Sequence, residues 1–498
     1  MRQDFDAIVI GSGVGGAAFA HVCATAGKSV LLIERGERRD SNTRPLDEKD
    51  TLIDKSPYDD RTVNVNEVPS RLYMGGVFGG SSAVFGGAML RPAVDDFHPG
   101  RHYGRLLDRE LWDWPVGYDE LKPFYDEAES LYRLAAVAGA DYSPLNAPGS
   151  KASDSVLPLA PINERLVATG RSDGLRPFQL PLAIDTSRCL SCDSCAGFLC
   201  PNGARRSAGQ VVDEAAADRS LQVLTNAEVV RLETTPSGEI DGVVVWDRCS
   251  RSEKHFRAGA YALAAGAIGS PAILLKSGVD GPHVGRNYMM HYSPIAVGVF
   301  ARSTGADETF IKQVGFADFY FGTEDCRHKM GLVQSLPAPG PLMLKKSGLK
   351  HCPMTILKML RRRLLPLAGI VEDLPNPRNR VVVRRDGAIG LKHEFSPFDV
   401  ERGAALGRAM CGILRRAGAV SCQSRAFPSR EHVAHQCGTL RFGRDPAHAV
   451  VDSDCRMFGR SNLFVVDGSV LPTSTGVGPS LTIAANALRV ARVALTAM

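Results

Sequence analysis

An α/β fold, joined to an α+β part with an antiparallel sheet, is predicted by three stretches of this 498-residue sequence. At the N-terminus, the apolar run at 5–10 leads straight into Gly11-Ser12-Gly13-Val14-Gly15-Gly16. At the C-terminus, an apolar strand ends at Asp467-Gly468, and a Gly/Pro loop (Gly476-Val477-Gly478-Pro479) leads into an Ala-rich helix. Between them, residues 291–430 read as an antiparallel sheet with helices, including a strand over 381–385 and a helix over 400–417.

The N-terminal elements are justified one by one. After the strand at 5–10 and the glycine turn, 17–26 reads as a helix, Gly27 as its stop, and 29–33 as a strand ending at Glu34. Strand, glycine turn, helix and strand form the context that a dinucleotide fingerprint requires. Gly11 allows the tight turn, Gly13 lets a pyrophosphate approach the backbone, and Gly16 lets the helix pack closely on the strand. Glu34, 23 residues beyond Gly11, can accept hydrogen bonds from both adenosine ribose hydroxyls and disfavours a 2′-phosphate. A second glycine-rich stretch, Gly75 to Gly87, would let a flat ring system lie against backbone. A helix starting at Ser480 or Thr482 presents unpaired N–H groups and a positive dipole end. A ligand gripped near residues 11, 80 and 470 is long, which favours FAD over NAD. A Rossmann-like FAD-binding domain is therefore expected.

With these residues in view, the chain resembles the glucose–methanol–choline (GMC) family of FAD-dependent oxidoreductases, of the sugar- and polyol-oxidising type. Gly79-Gly80-Ser81-Ser82-Ala83-Val84-Phe85-Gly86-Gly87 is similar to the family's first signature, and the stretch from Gly266 to Val279 to its second. Val284 to His291 resembles the segment that follows, and His435-Gln436-Cys437-Gly438-Thr439 the catalytic-histidine motif. The resemblance implies FAD contacts at Gly11, Gly13, Gly16, Glu34, Arg35, Gly80, Ser81, Ser82, Phe85, Gly86, Val229, Ala265, Gly266, Asp467, Gly468, Pro479 and Thr482. It places Val229 against adenine and the Thr482 helix start at the flavin N1–C2=O edge, where a positive helix end favours the reduced ring. Val84 stands where some members carry a histidine that binds FAD covalently, so non-covalent FAD is expected.

Alcohol oxidation by flavin needs a base for the hydroxyl proton, and imidazole titrates in the right range. The resemblance implies that role for His435; His432 lacks the Gly-Thr context, and His291 lies in a mostly structural motif. The family's second polar side chain, Asn or His before a Pro, is replaced by Gly478. Ser480 or another side chain could stand in, the gap could admit a bulkier substrate or water, or the reaction could differ. Asn486, two turns along the helix, is a poor substitute.

Four of twelve cysteines lie at Cys189, Cys192, Cys195 and Cys200. This spacing is close to a ferredoxin-type run, with one extra residue before the final Cys-Pro. Structural thiols or disulfides, an iron–sulfur cluster and zinc are the three readings.

The resemblance divides the chain into an FAD-binding domain (1–95, 201–290 and 431–498), a lid and Cys-rich insertion (96–200) and a substrate domain (291–430). A net charge of +5 is too mild to imply nucleic acid. No apolar stretch is long enough to span a membrane, and scattered cysteines with no signal-peptide pattern lead to an expected cytoplasmic location. Residues 342–367 carry seven Lys/Arg and no acidic residue, as a basic loop over the substrate mouth, a peripheral membrane contact or a dock for an acidic partner would. The expected activity is oxidation of a CH–OH group of a sugar, glycoside or aminoglycoside-like molecule, with an unassigned electron acceptor. The alternatives are a redox-neutral lyase on the same fold and an electron-transfer flavoprotein using a Cys-bound cluster.

Overall fold

The computed structural model describes residues 3–39, 47–149, 152–192, 195–218, 220–308, 311–426, 430–496 and 498. Gln3–Ile10 lies in a seven-stranded sheet, parallel to Val30–Ile33 on one side and to residues 256–263 of strand Ser252–Leu263 on the other. Leu221–Leu224 and Leu463–Val465 extend the parallel part, while Ile240–Asp247 and Ala227–Thr234 add antiparallel strands. Residues Ala7 to Ile10 are buried, as their unbroken apolar run requires in a sheet covered on both faces. Helix Val14–Thr25 packs between the sheet and helices Ala208–Ala215 and Ser480–Leu495. Alanines on both long helices let their backbones approach. Helix Tyr118–Leu131 packs on Ser480–Leu495.

The second sheet has six strands, all antiparallel, in the order Ser421–Ala426, Pro294–Val299, Leu364–Gly369, Val333–Ser335, Val314–Phe316 and Phe178–Gln179. Helix Pro397–Arg416 covers it, burying Leu406, Met410, Ile413 and Leu414. It begins in a capping box: Ser396 Oγ accepts from Asp399 N at 3.1 Å, and the Asp399 carboxylate accepts from Ser396 N at 3.0 Å.

Two connections differ from the expected division. The strand expected at 381–385 is Arg380–Val383, and it pairs with Ile389–Lys392 in a separate four-stranded sheet completed by Thr62–Val65 and Val68–Arg71. Its hairpin closes at Gly387, whose φ of 80° suits the turn. The segment 96–200 likewise contributes Phe178–Gln179 to the six-stranded sheet.

The basic stretch 342–367 is not one loop. It contains helices Pro341–Leu344 and Met354–Arg361 and enters the six-stranded sheet as Leu364–Gly369. Among the described residues, no helix is long and apolar enough to cross a membrane.

Candidate active site

A cavity of about 1320 Å³ runs from the glycine turn to the six-stranded sheet. Gly11 has φ of 108°, and a Cβ there or on Gly16 would overlap a backbone carbonyl, Ala264 O or Gly11 O. Gly15, which the sequence reading did not single out, is as constrained, because a Cβ would overlap Val466 O. Gly13 differs: its Cβ would meet nothing closer than Ala264 O at 4.0 Å, so this position opens into the cavity. Gly80 (φ 55°) folds over it, with a virtual Cβ 3.2 Å from Gly13 Cα. Ser12 Oγ joins the two glycine stretches, donating to Glu34 Oε2 at 2.6 Å and accepting from Gly79 N at 2.8 Å.

Three helices begin at this cavity without a side-chain cap: Val14–Thr25, Gly266–Lys276 and Ser480–Leu495. Apart from Gly266 N, which Asp467 holds, their first N–H groups remain available to an anionic or acceptor-rich ligand. Of the expected cofactor residues, Gly11, Gly13, Glu34, Arg35, Gly80, Ser81, Ser82, Phe85, Gly86, Val229, Ala265, Gly266, Asp467, Gly468 and Pro479 line the cavity. The open space at Gly13 and this donor set fit FAD, and the non-His Val84 also faces the cavity.

The three charged residues among these already have protein partners. Glu34 braces the turn, accepting from Ser12 N at 3.0 Å and Gly36 N at 2.6 Å. Arg35 is paired with Asp59, Asp60 and Glu228. Asp467 accepts from Gly266 N at 2.8 Å and Ser270 Oγ at 2.5 Å, tying the second signature to the C-terminal loop. Thr482 is a correction: its buried hydroxyl pairs with Tyr125 Oη at 2.9 Å, away from the cavity. The helix begins at Ser480, so Ser480 and Ile483 share the cavity face.

At the seam between the sheets, His291 Nδ1 and His435 Nδ1 are 2.9 Å apart. His291 Nε2 lies 2.9 Å from Ser474 O and 3.0 Å from Thr475 O. Carbonyls only accept, so a neutral His291 carries its proton on Nε2 and accepts at Nδ1. His435 then donates from Nδ1 and keeps an unprotonated Nε2. A Cβ on Gly478 would sit 3.3 Å from that Nε2, so the absent family side chain would have stood beside it. Both histidines have φ of 62°, backbone strain held by their surroundings. Burial, then the neighbouring His291 and Lys312, hold the His435 pKa well below its usual value.

Asp373 orients His291, accepting from its backbone N at 3.1 Å and from Ser474 Oγ at 2.8 Å. His432 also lines the cavity, its pKa lowered to about 4 by burial and then by Lys312. Asn486 is remote, bonded to Cys455 Sγ at 3.3 Å and to Arg489. Sequence reasoning missed Lys312 and Asp373, neither of which lies in a recognisable motif.

Cys189, Cys192, Cys195 and Cys200 are free thiols around a small cavity of about 20 Å³. Arg205 fills their surroundings, donating to Cys195 O and Phe198 O. Asp193 and Ser194 lie outside the described residues. Among the described residues, no group of three or more His, Cys, Asp or Glu is arranged to hold a metal ion. The iron–sulfur and zinc readings therefore gain no support, and the disulfide reading is replaced by free thiols.

The sequence matches the GMC oxidoreductase family in two blocks, residues 5–293 for its N-terminal part and 375–487 for its C-terminal part. It is 31% identical to 6'''-hydroxyparomomycin C oxidase of Streptomyces lividus, over 98% of this chain and 91% of that protein. It is 26% identical to the fructose dehydrogenase large subunit of Gluconobacter japonicus, over 98% of this chain and 97% of that one. Pyridoxine 4-oxidase from Mesorbium loti shares the fold, with a TM-score of 0.67 at 19% identity, covering 98% of each chain. Over most of its length, in sequence and in fold, the chain belongs to the GMC oxidoreductase family.

Proposed function

We propose that this protein oxidises a CH–OH group with non-covalently bound FAD, and that His435 is the base. The relatives' substrates favour a sugar, glycoside or aminoglycoside-like molecule. The observation that carries the reading is the 2.9 Å pairing of His291 Nδ1 with His435 Nδ1, which leaves His435 Nε2 beside Gly478 at the cavity.

FAD, when bound, supplies the hydride acceptor at N5. The chain supplies the rest. His435 Nε2 takes the hydroxyl proton, and its lowered pKa keeps it ready to do so at neutral pH. His291 holds the tautomer by accepting from Nδ1. The uncapped start of Ser480–Leu495 offers N–H groups to developing negative charge. Gly478 leaves space on the far side of His435, so the substrate oxygen meets one imidazole rather than two polar side chains.

Anaerobic absorbance of the purified protein tests this. Sugars, aminoglycosides and simple alcohols are added in turn, and loss of the oxidised-flavin band is the expected result for at least one class. Bound FAD that no alcohol bleaches would refute oxidation.

A further inference from the structure

The wall opposite the glycine cradle is the inner face of the six-stranded sheet. Its strands alternate, and the row turned to the cavity is Ile295, Val297, Leu364, Pro366 and Ala368, with Leu336 at its edge. Register places Ile295 beside Ala368, Val297 beside Pro366 and Val299 beside Leu364, so the row is continuous. Gln334 is the one amide that this sheet turns to the cavity among the described residues, Gln423 on the same face lying outside the lining. A polyol pressed against such a wall leaves hydroxyls without partners, at about 1–3 kcal/mol each.

The charged groups at this end are predominantly basic. Lys346 is paired with Glu431 at 3.0 Å, and Arg361 donates to the Ala338 and Asp307 carbonyls. Arg425 donates to Ser347 O at 3.0 Å and has no carboxylate partner among the described residues. Lys312 has neither a hydrogen-bond nor an ion-pair partner among them, and it lines the cavity. Its stem packs over Gly86, where a Cβ would come within 2.7 Å of Lys312 Cε, so the ammonium is held at the end where His432 and His435 stand. The carboxylates here are Asp47 and Glu48. Glu48 accepts from Leu342 N at 2.9 Å and Met343 N at 2.7 Å, and Asp47 accepts from Asp50 N at 2.8 Å.

We propose that the substrate is an alcohol carried on a largely apolar body with one anionic group, a carboxylate or phosphate, that Lys312 receives. The inference rests on the alcohol-oxidation reading but departs from the substrate class that the relatives favour: this wall disfavours polycationic aminoglycosides and bare sugars. Lys312 is thus a specificity-determining residue. Burial lowers its pKa to about 8, and an incoming anion would offset that penalty.

The test uses FAD-loaded protein and three benzyl alcohols that differ only in charge: para-hydroxymethylbenzoate, unsubstituted benzyl alcohol and para-aminomethylbenzyl alcohol. Glucose and paromamine are run beside them. The rate of anaerobic flavin bleaching and the binding of each compound's non-oxidisable methyl analogue, by difference spectra, are read together. The expected order is carboxylate, then neutral, then ammonium, with about tenfold or more between the first and last. Lys312→Met should remove that preference chiefly through KM, and Lys312→Arg should restore it, with FAD content unchanged. Faster bleaching by glucose or paromamine than by the benzoate overturns the inference while upholding oxidation. Charge preference unchanged in Lys312→Met also overturns it. No bleaching by any alcohol removes the oxidation reading, and this inference with it.

Discussion

Replacing His291 by Phe would test the tautomer lock at the proposed base. In the native arrangement, His291 Nε2 donates to two carbonyls and its Nδ1 accepts from His435 Nδ1 at 2.9 Å. Phenylalanine fills the space but cannot accept. His435 must then leave a buried N–H unpaired, at about 1–3 kcal/mol, or move its proton to Nε2 and cease to be a base. Either way the competent tautomer is depleted by that free energy, and at about 1.4 kcal/mol per factor of ten the loss in kcat is about 5- to 150-fold. KM should change little, because His291 does not line the cavity. His291→Gln keeps both functions, its amide N–H₂ donating to the carbonyls and its oxygen accepting from His435, and should recover most of the rate. The assay is single-turnover flavin bleaching with any substrate found active. Equal losses in the Phe and Gln variants, or a wild-type rate in the Phe variant, would refute the lock.

Other outcomes follow from the same geometry. Gly13→Ala should fold normally yet bind FAD weakly, because its Cβ points into open cavity, whereas Gly15→Ala should destabilise the fold itself by striking Val466 O; thermal unfolding with and without FAD separates the two. The His435 pKa lies below its usual 6.5, so with an uncharged alcohol kcat/KM should stay level through neutral pH and fall on the acid side, as a pH–rate profile would record. His432 has a folded pKa of about 4 against 6.5 unfolded, so its share of apoprotein stability is present above 6.5 and lost as pH falls through about 4, measurable by unfolding at stepped pH. Lys329→Met should lower both the unfolding temperature and kcat, with the kcat losses of Lys329→Met and His291→Phe less than additive.

The nucleotide half of the site was legible because its constraints are local. Gly11, Gly13 and Gly16 act within one strand–turn–helix unit, and the structure places each where its spacing implies. Of the two helix starts that the sequence allows, Ser480 is the one found, and this turns the Thr482 hydroxyl to Tyr125. The proposed base and its partner are 144 positions apart, and only the packing of two segments brings their rings together. Lys312 belongs to no motif, and its proposed role rests on its having no hydrogen-bond or ion-pair partner among the described residues, a property no single sequence displays. The four cysteines show the converse: their spacing leaves three readings open, and the structure has free thiols with Arg205 packed among them.

The acceptors that fix His291 are themselves carbonyls of a loop, so something must hold residues 474–476 still. That anchor is a fully buried charge cluster. Thr475 N donates to Glu372 Oε1 at 3.0 Å, and Gly476 N donates to Tyr320 Oη, which in turn donates to Asp96 at 2.6 Å. Lys329 bridges Asp96 and Glu372, while Tyr103 and Arg402 satisfy the remaining acceptors of Glu372. A buried ion cluster adds little stability over well-packed apolar residues, but removing one member leaves charges unpaired at about 3–5 kcal/mol. Its physical value here is therefore positional, since it joins the 96–200 segment, the six-stranded sheet and the C-terminal loop at one point. If loop register reaches the base only through His291, then in the His291→Phe background Lys329→Met has little kcat left to remove. Full additivity would mean that the cluster acts on the reaction by another route, and the chain of contacts from Lys329 to His435 would be broken at its first link.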